Sequence, residues 1–257
     1  MIARLLSAAA AAILLTATTA AGQSAFNTSN APETAIKTDA GPVSEDEWRA
    51  AVRDALMIGW AGLYNEISYG FPDDYAAFED DLVRRLQAGT LAEDDMAGLA
   101  YDFYGGVKVD YDNGLLSAPT RLMAQRAQAT ALMYQAVSNS IDACGELITQ
   151  NHLTPSTLQT LSDEQLRAYE AYSTARTRAL VAGIETPVQH PASTDADGEA
   201  LDRAFVAVGG KPKLMDRMMS ETGGDLTKAE VCQVITSYWK AVATLPNDAI
   251  ARIMAGQ

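Results

Sequence analysis

From Val43 onward, apolar residues recur three and four positions apart, and short openings of one make-up divide the pattern into segments. In "VSEDEW", Ser44 stands three residues before Glu47, flanked by Val43 and Trp48. "LSDEQL" repeats the arrangement with Ser162, Gln165, Leu161 and Leu166, and "LTKAEV" with Thr227, Glu230, Leu226 and Val231. A hydroxyl that accepts from the N–H three residues on, a side chain that reaches back, and an apolar pair outside them make a capping box with a hydrophobic staple. "LAEDDM" has Ala92 at the cap and is a partial copy. The stretch "GDLTKAE" also resembles the closing half of a calcium loop, with Gly224 and Glu230 six apart, but the same register puts Met219 where the first carboxylate belongs. The repeated opening therefore marks helix starts.

These starts, with Pro and Gly as stops, predict helices over 45–68, 73–88, 93–104, 119–149, 163–184, 199–208, 212–221, 228–244 and 247–254, plus a short turn after Thr154-Pro155. The longest, 119–149, has Pro119 in its first turn and an expected inward stripe of Leu122, Ala129, Leu132, Ala136, Val137, Ile141, Cys144 and Ile148. The connector "GGVKVDYDNGLLSAP" alternates Val107, Val109 and Tyr111, which allows a short extended segment, and 185–198 reads as a loop. The expected fold is all-α: an irregular multi-helix bundle with one long central helix at about 119–149 and a disordered N-terminal tail. Residues 43–257 are expected to form a single helical domain.

The first 42 residues break the pattern. "MIARLLSAAAAAILLTATTAAG" places Arg4 before an apolar run and small residues after it, the order of a secretory signal peptide over 1–22. The run falls short of the roughly 20 residues a spanning helix needs. Residues 23–42 are polar, small and aperiodic, the composition of a disordered lead-in. The expectation is an exported protein, periplasmic or secreted, with no stable membrane anchor after cleavage.

Charge narrows the partners. The chain carries 19 Lys+Arg against 33 Asp+Glu, a net −14, and loss of Arg4 with the signal makes it −15. So acidic a surface argues against nucleic acid and anionic membranes. The two cysteines, Cys144 and Cys232, are most simply a disulfide in an oxidising compartment, the alternative being two buried thiols. The bridge would close a loop of 88 residues (232 less 144), a constraint of about 4 kcal/mol on the unfolded chain.

Reactive constellations are scarce. His152 and His190 are isolated and suit surface or capping roles, so no metal centre and no cofactor is expected. Met215, Met218 and Met219 are soft ligands that would suit Cu(I), but "LMDRMM" reads first as core filler. No nucleophile elbow or phosphate loop occurs.

Aromatics are the positive signal: of 18 in the chain, 11 lie between Trp48 and Tyr111, with acids among them. Tyr69, Phe71, Tyr104 and Tyr111 sit at breaks in the pattern and are the expected ligand-binding surface. The leading expectation is a non-catalytic helical binding or adaptor protein of the bacterial envelope, its partner an envelope protein or cell-wall glycan. The alternative is an enzyme that cleaves envelope polysaccharide, with Glu66 as general acid and Asp102, Asp110 or Asp112 as the partner carboxylate.

Overall fold

The computed structural model describes residues 44–57, 60–91, 95–220 and 226–256, without the side chains of residues 95, 97 and 108–113. The signal and lead-in expected over 1–42 lie outside the described residues. The described chain is all-helical: α1 Glu45–Met57, α2 Ala61–Gly70, α3 Pro72–Gln87, α4 Asp95–Tyr111, a 3-10 turn Asp112–Ser117, α5 Thr120–Ala136, α6 Ile141–Gln150, α7 Pro155–Leu158, α8 Asp163–Glu185, α9 Asp195–Ala207, α10 Pro212–Met219, α11 Lys228–Val242 and α12 Asn247–Ala255. No described helix is long and apolar enough to cross a membrane.

The predicted starts form as capping boxes. Ser162 and Gln165 exchange side-chain-to-backbone bonds at α8, and Thr227 and Glu230 do so at α11. Ser44 and Glu47 do the same at α1. A further box, Thr194 with Asp197, opens α9. In each box the acid or amide satisfies an N–H that would otherwise lack a helical partner.

The helix expected over 45–68 is the pair α1 and α2, with Trp60 as the N-cap of α2, and two further predicted elements are corrected. The helix expected over 119–149 is two, because the chain turns at residues 137–140. Ser138 donates its hydroxyl to the Gln135 carbonyl, competing with the helical ladder. Gln165 of α8 then donates to the Ala136 carbonyl at 3.0 Å and to the Ser140 hydroxyl at 3.2 Å, closing the end of α5 from another helix. The break rotates the stripe: Met123, Ala127, Thr130 and Tyr134 face inward, and Leu132 is 61% exposed. The longest described helix is α8, not 119–149.

The second correction concerns "GGVKVDY", where α4 continues to Tyr111 and the extended segment does not form. Each glycine costs the helix roughly 1 kcal/mol. Tyr104 and Val107, three apart, are buried on one face, and such burial contributes roughly 1.5–3 kcal/mol per large side chain. Packing outweighs propensity here.

Helix α8 is the central element, touching α2, α4, α5 and the 3-10 turn. Close approach depends on small residues: Gly70 of α2 lies against Val181, and Gly183 lies against Gly114 of the 3-10 turn. The larger core cluster joins α1–α5, α8 and α12 through residues such as Ile67, Leu82, Met123, Leu180 and Ile250. A second cluster gathers Met133, Val137, Leu147, Leu153 and Tyr169 around the Cys144–Cys232 bridge, which ties α6 to α11. Ion pairs join the periphery. Glu79 of α3, only 1% exposed, accepts from Arg49 at 2.9 Å and from Arg53 at 2.9 and 2.5 Å. Asp197 of α9 accepts two bonds from Arg252 of α12 at 2.8 and 2.6 Å.

Candidate functional site

The buried stripe of α8 contains a cation. Tyr169, Tyr172, Ser173, Arg176, Thr177 and Leu180 recur at helical spacing and are all buried, Arg176 at 4% exposure. On α5 the spacing of four brings Arg126, Thr130 and Tyr134 to one face, and on α11 Ile235, Tyr238 and Trp239 share another. Ile148 of α6 and Asn151 just past its end complete the wall. These ten residues from α5, α6, α8 and α11 line a half-open pocket of about 260 Å³. A space between bundle helices with apolar walls and a few polar groups is the usual form of a small-ligand site.

Each wall is held from behind. Asn151 takes the left-handed conformation, φ 56°, that ends α6, and its carbonyl accepts from the Tyr172 hydroxyl at 3.2 Å. Tyr169 supports Tyr172 by stacking at 6.1 Å, receives an edge contact from Trp60 at 5.5 Å, and accepts a bond from the Leu153 N–H at 3.1 Å. Tyr238 and Trp239 meet edge to face at 5.5 Å. Thr130 donates its hydroxyl to the Arg126 carbonyl at 2.7 Å. The disulfide stands one helical turn behind two wall residues, Cys144 before Ile148 and Cys232 before Ile235.

The electrostatics favour one protonation state. Burial, and then the neighbouring Tyr172, push the Tyr134 phenol well above its usual range, so it keeps its proton at neutral pH. Burial likewise raises Tyr104, with Arg176 acting in the opposite sense, which places the guanidinium charge near that phenol. Among the described wall residues there are two guanidinium cations and no carboxylate.

The residues singled out from sequence lie elsewhere. Phe71 and Tyr104 are core residues, which corrects their assignment to a contact surface. Phe71 donates its N–H to Ile67 as α2 ends and accepts from Tyr75 as α3 begins, so the chain turns a corner around an inward ring. Tyr104 lies with Val107 on the buried face of α4. Tyr69 is 68% exposed. The side chain of Tyr111 lies outside the described residues, as do those of Asp110 and Asp112. Glu66 accepts from Arg178 Nε at 2.8 Å, a link between α2 and α8, and Asp102 is exposed on α4.

The histidines take local roles. Nε2 of His190 lies 2.8 Å from the Ala118 carbonyl, and His152 packs on Tyr101 with ring centres 4.9 Å apart. Met215 and Met218 pack with Phe205 and Leu214, whereas Met219 is exposed, so the three sulfurs divide between a packed cluster and solvent. Among the described residues no group of three or more His, Cys, Asp and Glu is placed to hold a metal ion.

The cavity escaped the sequence reading because its residues come from four segments spread over 126–239. One local signal pointed to it: an arginine in the middle of the apolar face of α8, between Tyr172 and Leu180. No protein-family model, curated protein or solved structure matches this chain.

Proposed function

We propose that the protein is a non-catalytic, exported binding protein of the bacterial envelope that takes up a small molecule between α5, α6, α8 and α11. The observation that carries this reading is the cavity itself, walled by Tyr134, Tyr172, Tyr238 and Trp239 and braced by a disulfide one turn away. Export rests on the signal-like order of residues 1–22. An oxidising compartment supports the bridge, and the bridge in turn fixes the separation of two cavity walls.

The test is native mass spectrometry of the protein recovered from its own envelope fraction. A discrete added mass that leaves on denaturation is expected, and loss of that mass in Ile148→Phe would place it in the cavity. A parallel incubation with purified sacculi covers the other outcome. Release of sugar–peptide fragments, lost in Glu66→Gln, would overturn the binding reading in favour of glycan cleavage.

A further inference from the structure

We infer that the pocket between α5, α6, α8 and α11 takes a small neutral aromatic alcohol of the phenol class, its ring against Ile235 and Trp239 and its hydroxyl at the Tyr134 and Tyr172 phenols. This inference rests on the binding reading above and adds the chemical class of the ligand.

Three observations lead to it. The first is the mixed hydrogen bonding of the wall. Thr130 gives its hydroxyl proton to the Arg126 carbonyl at 2.7 Å, and Tyr172 gives its own to the Asn151 carbonyl at 3.2 Å. Both oxygens then meet the pocket as acceptors. Tyr134 keeps its proton at neutral pH and brings a donor, and its phenol lies near enough to that of Tyr172 for each to act on the other. Donor and acceptor thus stand close together on α5 and α8, which pack side by side. A ligand hydroxyl donates and accepts at one atom and answers both, whereas a carboxylate only accepts and an ammonium only donates.

The second is charge. Arg126 and Arg176 already have partners within the protein, so the inference asks nothing of them. Their charges, in a wall without a described carboxylate, oppose a cationic ligand. A neutral molecule meets no such cost.

The third is size and the apolar part of the wall. About 260 Å³ exceeds the ~150 Å³ of a cavity that accepts benzene and falls short of the ~300–1,000 Å³ typical of drug-sized ligands, which suits a single substituted ring. Ile148, Ile235 and Trp239 offer that ring hydrocarbon and an aromatic surface for offset or edge contact. A sugar ring of the same size would turn hydroxyls towards the isoleucines, which cannot pair with them.

The experiment is isothermal titration of the purified full chain with para-cresol, against its methyl ether, benzoate, benzylamine and N-acetylglucosamine. Expected are saturable binding of para-cresol that is lost in Ile148→Phe, and binding of the ether weaker by roughly three- to tenfold, the worth of one neutral hydrogen bond. Little binding of the other three is expected. Tyr172→Phe is expected to bring para-cresol down to the level of its ether and to leave the ether unchanged, an outcome that general loosening of the fold would not give. Thr130→Val, which loses only a bond within α5, is expected to narrow the same preference and serves if Tyr172→Phe does not fold. Circular dichroism and Tm report folding of each variant. Equal binding of para-cresol and its ether, or a preference unchanged in both variants, would overturn the hydroxyl contact and leave the binding reading standing. Benzoate, benzylamine or the sugar bound more tightly than para-cresol would overturn the neutral aromatic class and leave that reading standing too. No binding of any probe, with a native mass still lost in Ile148→Phe, would overturn this inference alone; with no such mass, both would fall.

Discussion

A β-carbon on Gly183 would lie 1.8 Å from the carbonyl oxygen of Gly114, so α8 and the 3-10 turn touch backbone to backbone. Nothing flexible stands between them that might yield. Gly183→Ala is therefore expected to destabilise the protein by at least the roughly 1–3 kcal/mol typical of overpacking. Gly105 in α4 is the control, because a β-carbon there meets nothing within 4 Å. Gly105→Ala is expected to stabilise by roughly 0.5–1 kcal/mol through helix propensity and a less flexible unfolded chain. Urea denaturation of the two variants checks both signs.

Glu79 is buried with two arginines that reach solvent at their far sides, Arg49 and Arg53. Removing the carboxylate takes the shared acceptor from two cations one turn apart on α1, leaving Arg53 without it while Arg49 keeps Glu45 and Asp80. Glu79→Ala is expected to lower Tm by roughly 6–12 °C, with the salt dependence of an exposed arginine pair. A calorimetric scan in low and high salt would show it.

The Asp197 carboxyl is held far below the usual carboxylate range, chiefly by the paired bonds from Arg252 and then by the Thr194 backbone and hydroxyl. Its folded pKa is depressed, so the stability it contributes is present above the unfolded value of about 4 and is lost as pH falls towards the folded one. The gap in stability between wild type and Asp197→Asn should thus be constant from pH 7 to about 5 and shrink below about pH 4. A gap that widened on acidification would contradict the pairing.

Reduction of Cys144–Cys232 releases a constraint on 88 residues and is expected to cost about 4 kcal/mol of stability. The same treatment frees α6 from α11 beside Ile148 and Ile235. Ligand affinity should therefore fall together with stability on reduction, and the Cys144→Ala/Cys232→Ala variant should reproduce both effects without reductant.

Local chemistry was legible in the sequence, and long-range packing was not. Ser162 with Gln165 and Thr227 with Glu230 could be recognised because a capping box is complete within four residues. The cysteine pair could be proposed from number and compartment alone. Thr194 with Asp197 passed as loop because Asp replaces the usual Glu or Gln and no apolar pair flanks the box. The end of α5 depends on Gln165, 29 residues away, and the helicity of "GGVKVDY" depends on the burial of Tyr104. The connector aromatics misled for the same reason: Phe71 sits at a break in the pattern, and the break is a buried corner. Three helices must assemble before Arg126, Arg176 and Trp239 form a wall, so the candidate site had no contiguous signature.

The most direct discrimination sets the pocket between the helices against the exposed ring of Tyr69. Ile148→Phe puts a larger ring into the pocket and leaves Tyr69 intact, whereas Tyr69→Ala strips the surface ring and leaves the pocket intact. Ligand retention by native mass spectrometry is to be measured for both beside the wild type. A ligand lost from Ile148→Phe and kept by Tyr69→Ala is the predicted result. A ligand kept by Ile148→Phe and lost from Tyr69→Ala would contradict a function based on the cavity.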